Sequence, residues 1–157
     1  KTPVDNRTDY IKRLIGIPGD LIQFIDGDLY INNNQILKTL TKSTENIFCG
    51  NDTINVNHYE EKLPNNKIYK TVYRLKQNFK NSDKFVVPEN HYFFLGDNRD
   101  CSKDSRFLTS VGYVHKNNLV GKARFIFFSS DKNIGSIFAF WKWNKSIRFD
   151  RFFKKIQ

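Results

Sequence analysis

Tyr10-Ile11-Lys12-Arg13-Leu14-Ile15-Gly16-Ile17-Pro18-Gly19-Asp20-Leu21-Ile22-Gln23-Phe24-Ile25-Asp26-Gly27-Asp28-Leu29-Tyr30-Ile31 is the stretch that decides the fold. Short apolar runs cut by turn residues read as strands, not helices. Residues 10–17 are predicted as a strand. Pro18 followed by Gly19 suits the two central positions of a type II turn. Residues 21–25 form the next strand, Asp26-Gly27-Asp28 is a hairpin signal, and Leu29-Tyr30-Ile31 follows. Asn32-Asn33-Asn34 turns the chain once more, into Ile36-Leu37. These pieces predict an antiparallel meander.

Further along, the pattern loosens. Over residues 39–84 polar residues dominate and Asn recurs; Leu63-Pro64-Asn65-Asn66 marks a turn and 69–75 alternates as a strand. This stretch is predicted to be an insertion or subdomain on the main sheet. Strand character returns at Phe85-Val86-Val87-Pro88 and Tyr92-Phe93-Phe94-Leu95, and residues 119–128 are predicted as the last strand. The tail, residues 138–157, interleaves aromatic with basic residues. Phe149, Phe152, Phe153 and Ile156 fit one helical face, with Arg148, Arg151 and Lys155 on another. Such a helix can lie in a bilayer interface or dock on its own domain. The expectation is a mainly β fold of antiparallel sheets, with the small inserted subdomain and a short C-terminal helix, in a single domain over 1–157.

The chain has 157 residues, with 15 Phe, 7 Tyr and 2 Trp for a core, and a net charge of +10. That charge favours a partner bearing phosphates, nucleic acid or an anionic bilayer. The lysines are spread along the chain, which equally suits a solvated basic surface. No apolar run approaches the ~18 residues of a membrane-spanning helix. The sequence starts at Lys1 and has no Met, so it is expected to be a piece of a longer product. Cys49 and Cys101 are far apart and the 3 His are scattered. Neither spacing resembles a metal site or a redox pair, so no metal or cofactor is expected and the thiols are expected to be free.

Two segments place polar groups in apolar surroundings. Gly96-Asp97-Asn98-Arg99-Asp100-Cys101-Ser102-Lys103-Asp104-Ser105-Arg106 follows directly on an apolar strand. A buried network there is costly unless every member is paired, and either a functional site or an ion-pair knot can hold one. Lys12 lies among Tyr10, Ile11, Leu14 and Ile15. On a strand, Tyr10, Lys12 and Leu14 share one face. A lysine that loses solvation has a lowered pKa and can take a proton, as a general base must. Alternatively its side chain reaches past its neighbours to water.

Together the two segments resemble bacterial type I signal peptidases (leader peptidases). Residues 10–20 are similar to the family's lysine-bearing motif, and residues 96–106 to its later GDNRD-x-S-x-DSR motif. Weaker matches lie at Asp26-Gly27-Asp28-Leu29-Tyr30-Ile31-Asn32, Tyr59-Glu60-Glu61-Lys62-Leu63-Pro64, Val87-Pro88-Glu89-Asn90-His91-Tyr92-Phe93 and Asn118-Leu119-Val120-Gly121-Lys122-Ala123. The resemblance implies a serine endopeptidase with a Ser-Lys dyad, cutting signal peptides from exported preproteins at the outer face of the cytoplasmic membrane. It implies Lys12 as general base and Ser102 as the serine that orients it. Asp97, Arg99, Asp104 and Arg106 become a supporting framework and Arg13 a structural residue. Tyr10 and Phe94 are candidates for lining the substrate pocket. The implied partners are signal peptides and the membrane surface, not nucleic acid.

One departure bears on activity. The family's nucleophilic serine lies in an S-x-M-x-P motif upstream of the lysine, whereas residues 1–9 contain neither Ser nor Met. The 157 residues alone are therefore expected not to hydrolyse peptides. Two other readings are a self-cleaving Ser-Lys protease of the repressor type and a non-catalytic basic binding module. The first lacks the GDNRD-type motif, and the second finds no nucleic-acid motif here.

Overall fold

In the computed structural model, which describes residues 1–76, 79–130, 141 and 143–156, the first corner is made by Pro18 and Gly19. Gly19 has φ +88°, and the Asp20 N–H donates to the Ile17 carbonyl at 3.0 Å, the type II geometry that Pro-Gly supplies. The corner joins β1 (Arg13–Gly16) to β2 (Leu21–Ile25). Asp26-Gly27 and Asn32-Asn33 both have positive φ at their central residues. They close tight hairpins into β3 (Asp28–Ile31) and β4 (Asn34–Gln35), with the backbone twist that antiparallel strands prefer. The predicted meander is present.

Residues 39–84 hold more strand than their sequence signals. A long hairpin of β5 (Leu37–Cys49) and β6 (Asp52–Lys62) is followed by β7 (Ile68–Arg74), all antiparallel. Both faces of β5 are largely exposed, so no alternation of apolar and polar residues marks it. Its register against β6 slips between Leu40 and Lys42 and again between Lys42 and Glu45.

Alternation elsewhere fixes the core. β8 (Phe85–Val86), β9 (His91–Leu95) and β10 (Val114–His115) complete the strands. The sheets run β1-β9-β10, β4-β3-β2-β8 and β5-β6-β7. Ile22 and Phe24 of β2 face Ile31 and Leu29 of β3. They join Ile15, Phe85, Val87, Phe93 and Leu95 in one buried cluster. Full burial of each such side chain is worth about 1.5–3 kcal/mol.

The strand predicted over 10–17 is shorter than expected. β1 starts at Arg13, paired with Leu95, the last residue of β9. Beyond Leu95 the partner chain leaves the sheet, so Lys12 has no ladder to join.

The contacts divide the chain into Lys1–Val120 and Gly121–Gln157. The second unit corrects two expectations. Residues 119–128 do not form a strand; the pairing in this unit is by isolated bridges, Phe125 with Lys155 and Ser130 with Ile147. The helical face of Phe149, Phe152, Phe153 and Ile156 does not form either. A short helix, α1 (Trp143–Ser146), lies further upstream, and a 3-10 turn covers Phe149–Arg151. Phe153 then takes φ +55°, which ends any helix, and its N–H donates to Ile126. Phe138, Lys142 and Gln157 of the predicted tail lie outside the described residues.

Candidate active site

β9 ends at Leu95 and the chain turns out of the sheet at Gly96. The Gly96 N–H does not continue the ladder but donates to Asp104 Oδ2 at 3.0 Å. Asp104 is fully buried and also accepts from Arg106 Nε at 2.8 Å and Nη2 at 2.9 Å. Arg106 Nη2 reaches the Arg99 carbonyl as well. Ser105 clamps the strand: the Phe94 N–H donates to its Oγ at 2.9 Å, and its own N–H donates to the Phe94 carbonyl at 3.0 Å. Residues 96–106 are thereby folded back on the end of β9.

This fold-back brings Ser102 to Lys12. Lys12 Nζ donates to Ser102 Oγ at 2.9 Å across 90 positions of sequence. The approach depends on Gly96. A Cβ placed there would sit 2.0 Å from Ser102 Oγ, 2.4 Å from Ser102 Cβ and 3.5 Å from Lys12 Nζ. Lys12 is half-buried, with its ammonium 5.3 Å from the centre of the Tyr10 ring. Burial holds its amine below the ordinary lysine value. Asp104 works against that shift, Arg106 with it, and Asp97 against it. The result is an amine biased toward its proton-accepting form, one hydrogen bond from a hydroxyl.

A second network holds the loop from outside. Arg13 grips Asp97 bidentately, at 2.7 Å and 3.0 Å, and its guanidinium lies 4.2 Å from the Tyr69 ring centre. Residues 97–100 run beside β7. The Val72 N–H donates to the Asp97 carbonyl, the Arg99 N–H to the Val72 carbonyl, and the Arg74 N–H to Asp100 Oδ2. The Arg99 side chain, 1% exposed, enters a cage on β6 and β7. Its Nη2 meets Glu61 Oε2 at 2.7 Å and the Tyr69 hydroxyl at 2.9 Å, and its Nη1 meets the Tyr73 hydroxyl at 2.9 Å. Both tyrosine hydroxyls donate to Glu61. Burial opposes the Arg99 charge, but Glu61 and the two phenols outweigh it and keep the guanidinium protonated. Burial likewise pushes both phenols up, so they remain donors.

The cysteines correct an expectation. Cys49, at the end of β5, and Cys101 form a disulfide with Cα atoms 5.7 Å apart. Their separation of 52 positions hides this, because the fold alone brings the hairpin tip to the loop.

Of the residues expected at the site, Lys12 and Ser102 meet directly, Asp104, Arg106 and Asp97 act on the Lys12 charge, and Arg13 and Arg99 hold the loop through Asp97 and the β6–β7 cage. Tyr10 and Lys103 help to wall a cavity of about 350 Å³ with Thr2, Val4 and Val111. Phe94 is not in that wall; it lies half-buried on β9 across from Leu14. Glu61, Tyr69 and Tyr73 escaped the sequence reading. Their signal was the spacing Tyr69-Thr71-Tyr73, one strand face of polar-tipped groups, but nothing local announces that Glu61 lies beneath it. Among the described residues no three His, Cys, Asp or Glu side chains gather as metal ligands.

Comparison with known proteins places this chain in a family. The family described as signal peptidase, peptidase S26, matches residues 1–128. Signal peptidase I of Rickettsia prowazekii is 41% identical over 172 residues, covering 99% of this chain and 62% of that protein. Signal peptidase I of Rickettsia typhi gives the same identity and coverage, 41%, 99% and 62%. The chain thus spans about 62% of the length of these curated relatives. A crystal structure of a signal peptidase I from Enterococcus faecalis V583 is 28% identical, covering 71% of this chain and 80% of that one, at a TM-score of 0.38. With a family match over most of its length and relatives of this identity, the chain belongs to the signal peptidase family, peptidase S26.

Proposed function

We propose that this chain carries the general base of a serine endopeptidase that removes N-terminal signal peptides from exported preproteins by a Ser-Lys dyad. The observation that carries the reading is the Lys12–Ser102 contact, a half-buried amine held at 2.9 Å from a hydroxyl. Lys12 takes the proton of the attacking serine hydroxyl, the resulting alkoxide adds to the scissile carbonyl, and Lys12 returns the proton to the leaving amine. Water then hydrolyses the acyl-enzyme. Ser102 aims the Lys12 nitrogen, while Asp104, Arg106, Arg99, Asp97 and Arg13 fix the loop that carries Ser102.

In this reading the nucleophile is a serine outside these 157 residues, and the chain alone does not cut. Ser102 is seated against Gly96, with no room for even a methyl group between them, which suits a hydroxyl that orients the amine. The substrate is an extended peptide with small side chains before the cut, and no cofactor takes part. Tyr10 stands beside the Lys12 amine, where such a peptide would pass. The Cys49–Cys101 disulfide supports an oxidising compartment, as at the outer face of the cytoplasmic membrane. Among the described residues no helix is long and apolar enough to cross a membrane. Exposed Ile11, Leu14 and Ile17 near the site support contact with a bilayer surface.

The test is cleavage of a preprotein by the intact enzyme. Lys12→Ala is expected to abolish it, and Ser102→Ala to lower kcat by about 10²-fold or more. Normal processing by Lys12→Ala would remove Lys12 from the chemistry. A covalent acyl adduct mapped to Ser102 would instead make that residue the nucleophile. Cleavage confined to the molecule's own chain would favour a self-processing protease.

A further inference from the structure

We propose that the Cys49–Cys101 disulfide is a positioning device for the Lys12–Ser102 pair, and that its reduction by a dithiol switches the site off. The inference rests on the reading of Lys12 and Ser102 as a working pair. It starts from adjacency: Cys101 is the residue immediately before Ser102, and Cys49 closes β5 at the tip of the long hairpin.

Ser102 is held from both sides. On its C-terminal side Asp104 is locked by Gly96 and Arg106. On its N-terminal side Cys101 is tied covalently to Cys49, while the Arg99–Glu61 ion pair and the hydrogen bonds along β7 hold the residues before it. The Cys101 N–H donates to Asn98 Oδ1 at a long 3.3 Å, and Asp100 accepts from Arg74. The pocket for the Ser102 side chain is tight at Gly96, so a small displacement of Cys101 moves Ser102 Oγ off its seat. Lys12 then loses its partner and gains water. Both cysteines are only partly buried, so a reductant can reach them.

The chemistry is ordinary thiol–disulfide exchange. A thiolate of the dithiol attacks one sulfur of the bond and the other cysteine leaves as a thiolate. The second thiolate of the dithiol then displaces the first cysteine. The dithiol departs as a disulfide, oxidised by one electron pair, and both cysteines take up a proton to end as thiols. Oxidation of the two thiols by a protein disulfide reverses the step.

The experiment uses the intact protein in three forms: oxidised, reduced with dithiothreitol, and Cys49→Ser/Cys101→Ser. Two readouts are taken, the pH titration of the Lys12 Cε carbon by NMR and the pH profile of kcat/KM on a signal-peptide substrate. Reduction is expected to move the Lys12 midpoint upward, to shift the rising limb of the rate profile with it, and to lower kcat/KM by about tenfold or more. Reoxidation is expected to restore all three. The double variant should match the reduced protein with or without reductant, and circular dichroism of both should show the fold retained; global unfolding on loss of the bond would overturn a local positioning role. An unchanged Lys12 midpoint and unchanged rate in the reduced and double-variant proteins would overturn the proposal. A midpoint that moves in a protein that cuts no peptide in either state would sink the proteolytic assignment and leave the coupling standing.

Discussion

Gly96 shows how one missing side chain makes room for a site. Its Cα lies against Ser102, and a methyl group there would have to occupy the space of the hydroxyl. Gly96→Ala is therefore expected to expel Ser102 and to cut peptide cleavage by about 10²-fold. In a double-mutant cycle with Ser102→Gly, which clears the space, the stability loss from Gly96→Ala should shrink by about 1 kcal/mol or more. Additive thermal shifts would contradict the contact. Lys12 gives a pH prediction. Its amine is held below the ordinary value of 10.5, chiefly by burial, so between the lowered folded value and 10.5 the unfolded chain binds more protons. The stability linked to this group is complete above 10.5 and is lost as pH falls through the folded value. Relative to Lys12→Met, the wild type should gain stability in urea unfolding as pH rises across that window, and cleavage should rise as pH passes through the folded value and then level off. A flat difference would mean an ordinary lysine. The sequence made these residues legible because their types are chemically loud: a lysine among apolar groups, and a run of charges after a strand. The fit of Ser102 against Gly96 was silent, since a contact between positions 96 and 102 depends on how the loop folds back.

At the scale of elements, β6, β7 and the loop after β9 act as one clamp. Glu61 and Arg99 are a buried pair, both about 1% exposed, bridged by the Tyr69 and Tyr73 hydroxyls, while Arg99 Nε is buried without a hydrogen-bond partner. Breaking such a pair costs more than the pair itself contributes, because a charge is left buried alone. Glu61→Gln is expected to destabilise the fold by about 3–5 kcal/mol in urea titrations. Glu61→Leu/Arg99→Met combined with Tyr69→Phe and Tyr73→Phe, which also removes the two hydroxyls the pair satisfies, should recover most of that loss; if it is no better than the single variant, the pair is not what holds the clamp. The disulfide adds a covalent tie across 52 positions, worth about 4 kcal/mol by loop-closure entropy. Neither device was legible in advance. β5 is wetted on both faces and carries no apolar alternation, and β6 turns only Ile54 and Val56 inward as apolar residues before a polar run, so the hairpin could not be seen, and without it neither Cys49 nor Glu61 had a location. By contrast the meander of β1 to β4 was plain, because Pro18-Gly19, Asp26-Gly27 and Asn32-Asn33 each dictate their own turn.

For the whole molecule, the hydrophobic cluster lies within Lys1–Val120, while the aromatic and basic residues of the tail lie in Gly121–Gln157. Phe127, Trp141, Phe149 and Phe153 are all exposed, and the chain as a whole carries a net charge of +10. Sedimentation with phosphatidylglycerol vesicles is expected to capture the intact protein, more weakly as salt rises. Deleting residues 121–157 should reduce that capture, and equal binding by both forms would remove the tail from any membrane role. The tail's helix was misplaced from sequence because a face of aromatic residues at helical spacing says nothing of the left-handed turn at Phe153. One last feature of the long hairpin reaches past the single molecule. In its sheet, β7 has the 97–99 loop along its outer side through the Val72–Asn98 bridge, whereas β5 is the outermost strand opposite. A straight bare edge of that length would template the stacking of one copy upon another. The register slips between Leu40 and Glu45 break the regularity of that rim, and Lys42, its side chain 61% exposed, puts a cation on it. A second copy therefore finds no flat rim to add to, and growth into fibres is disfavoured.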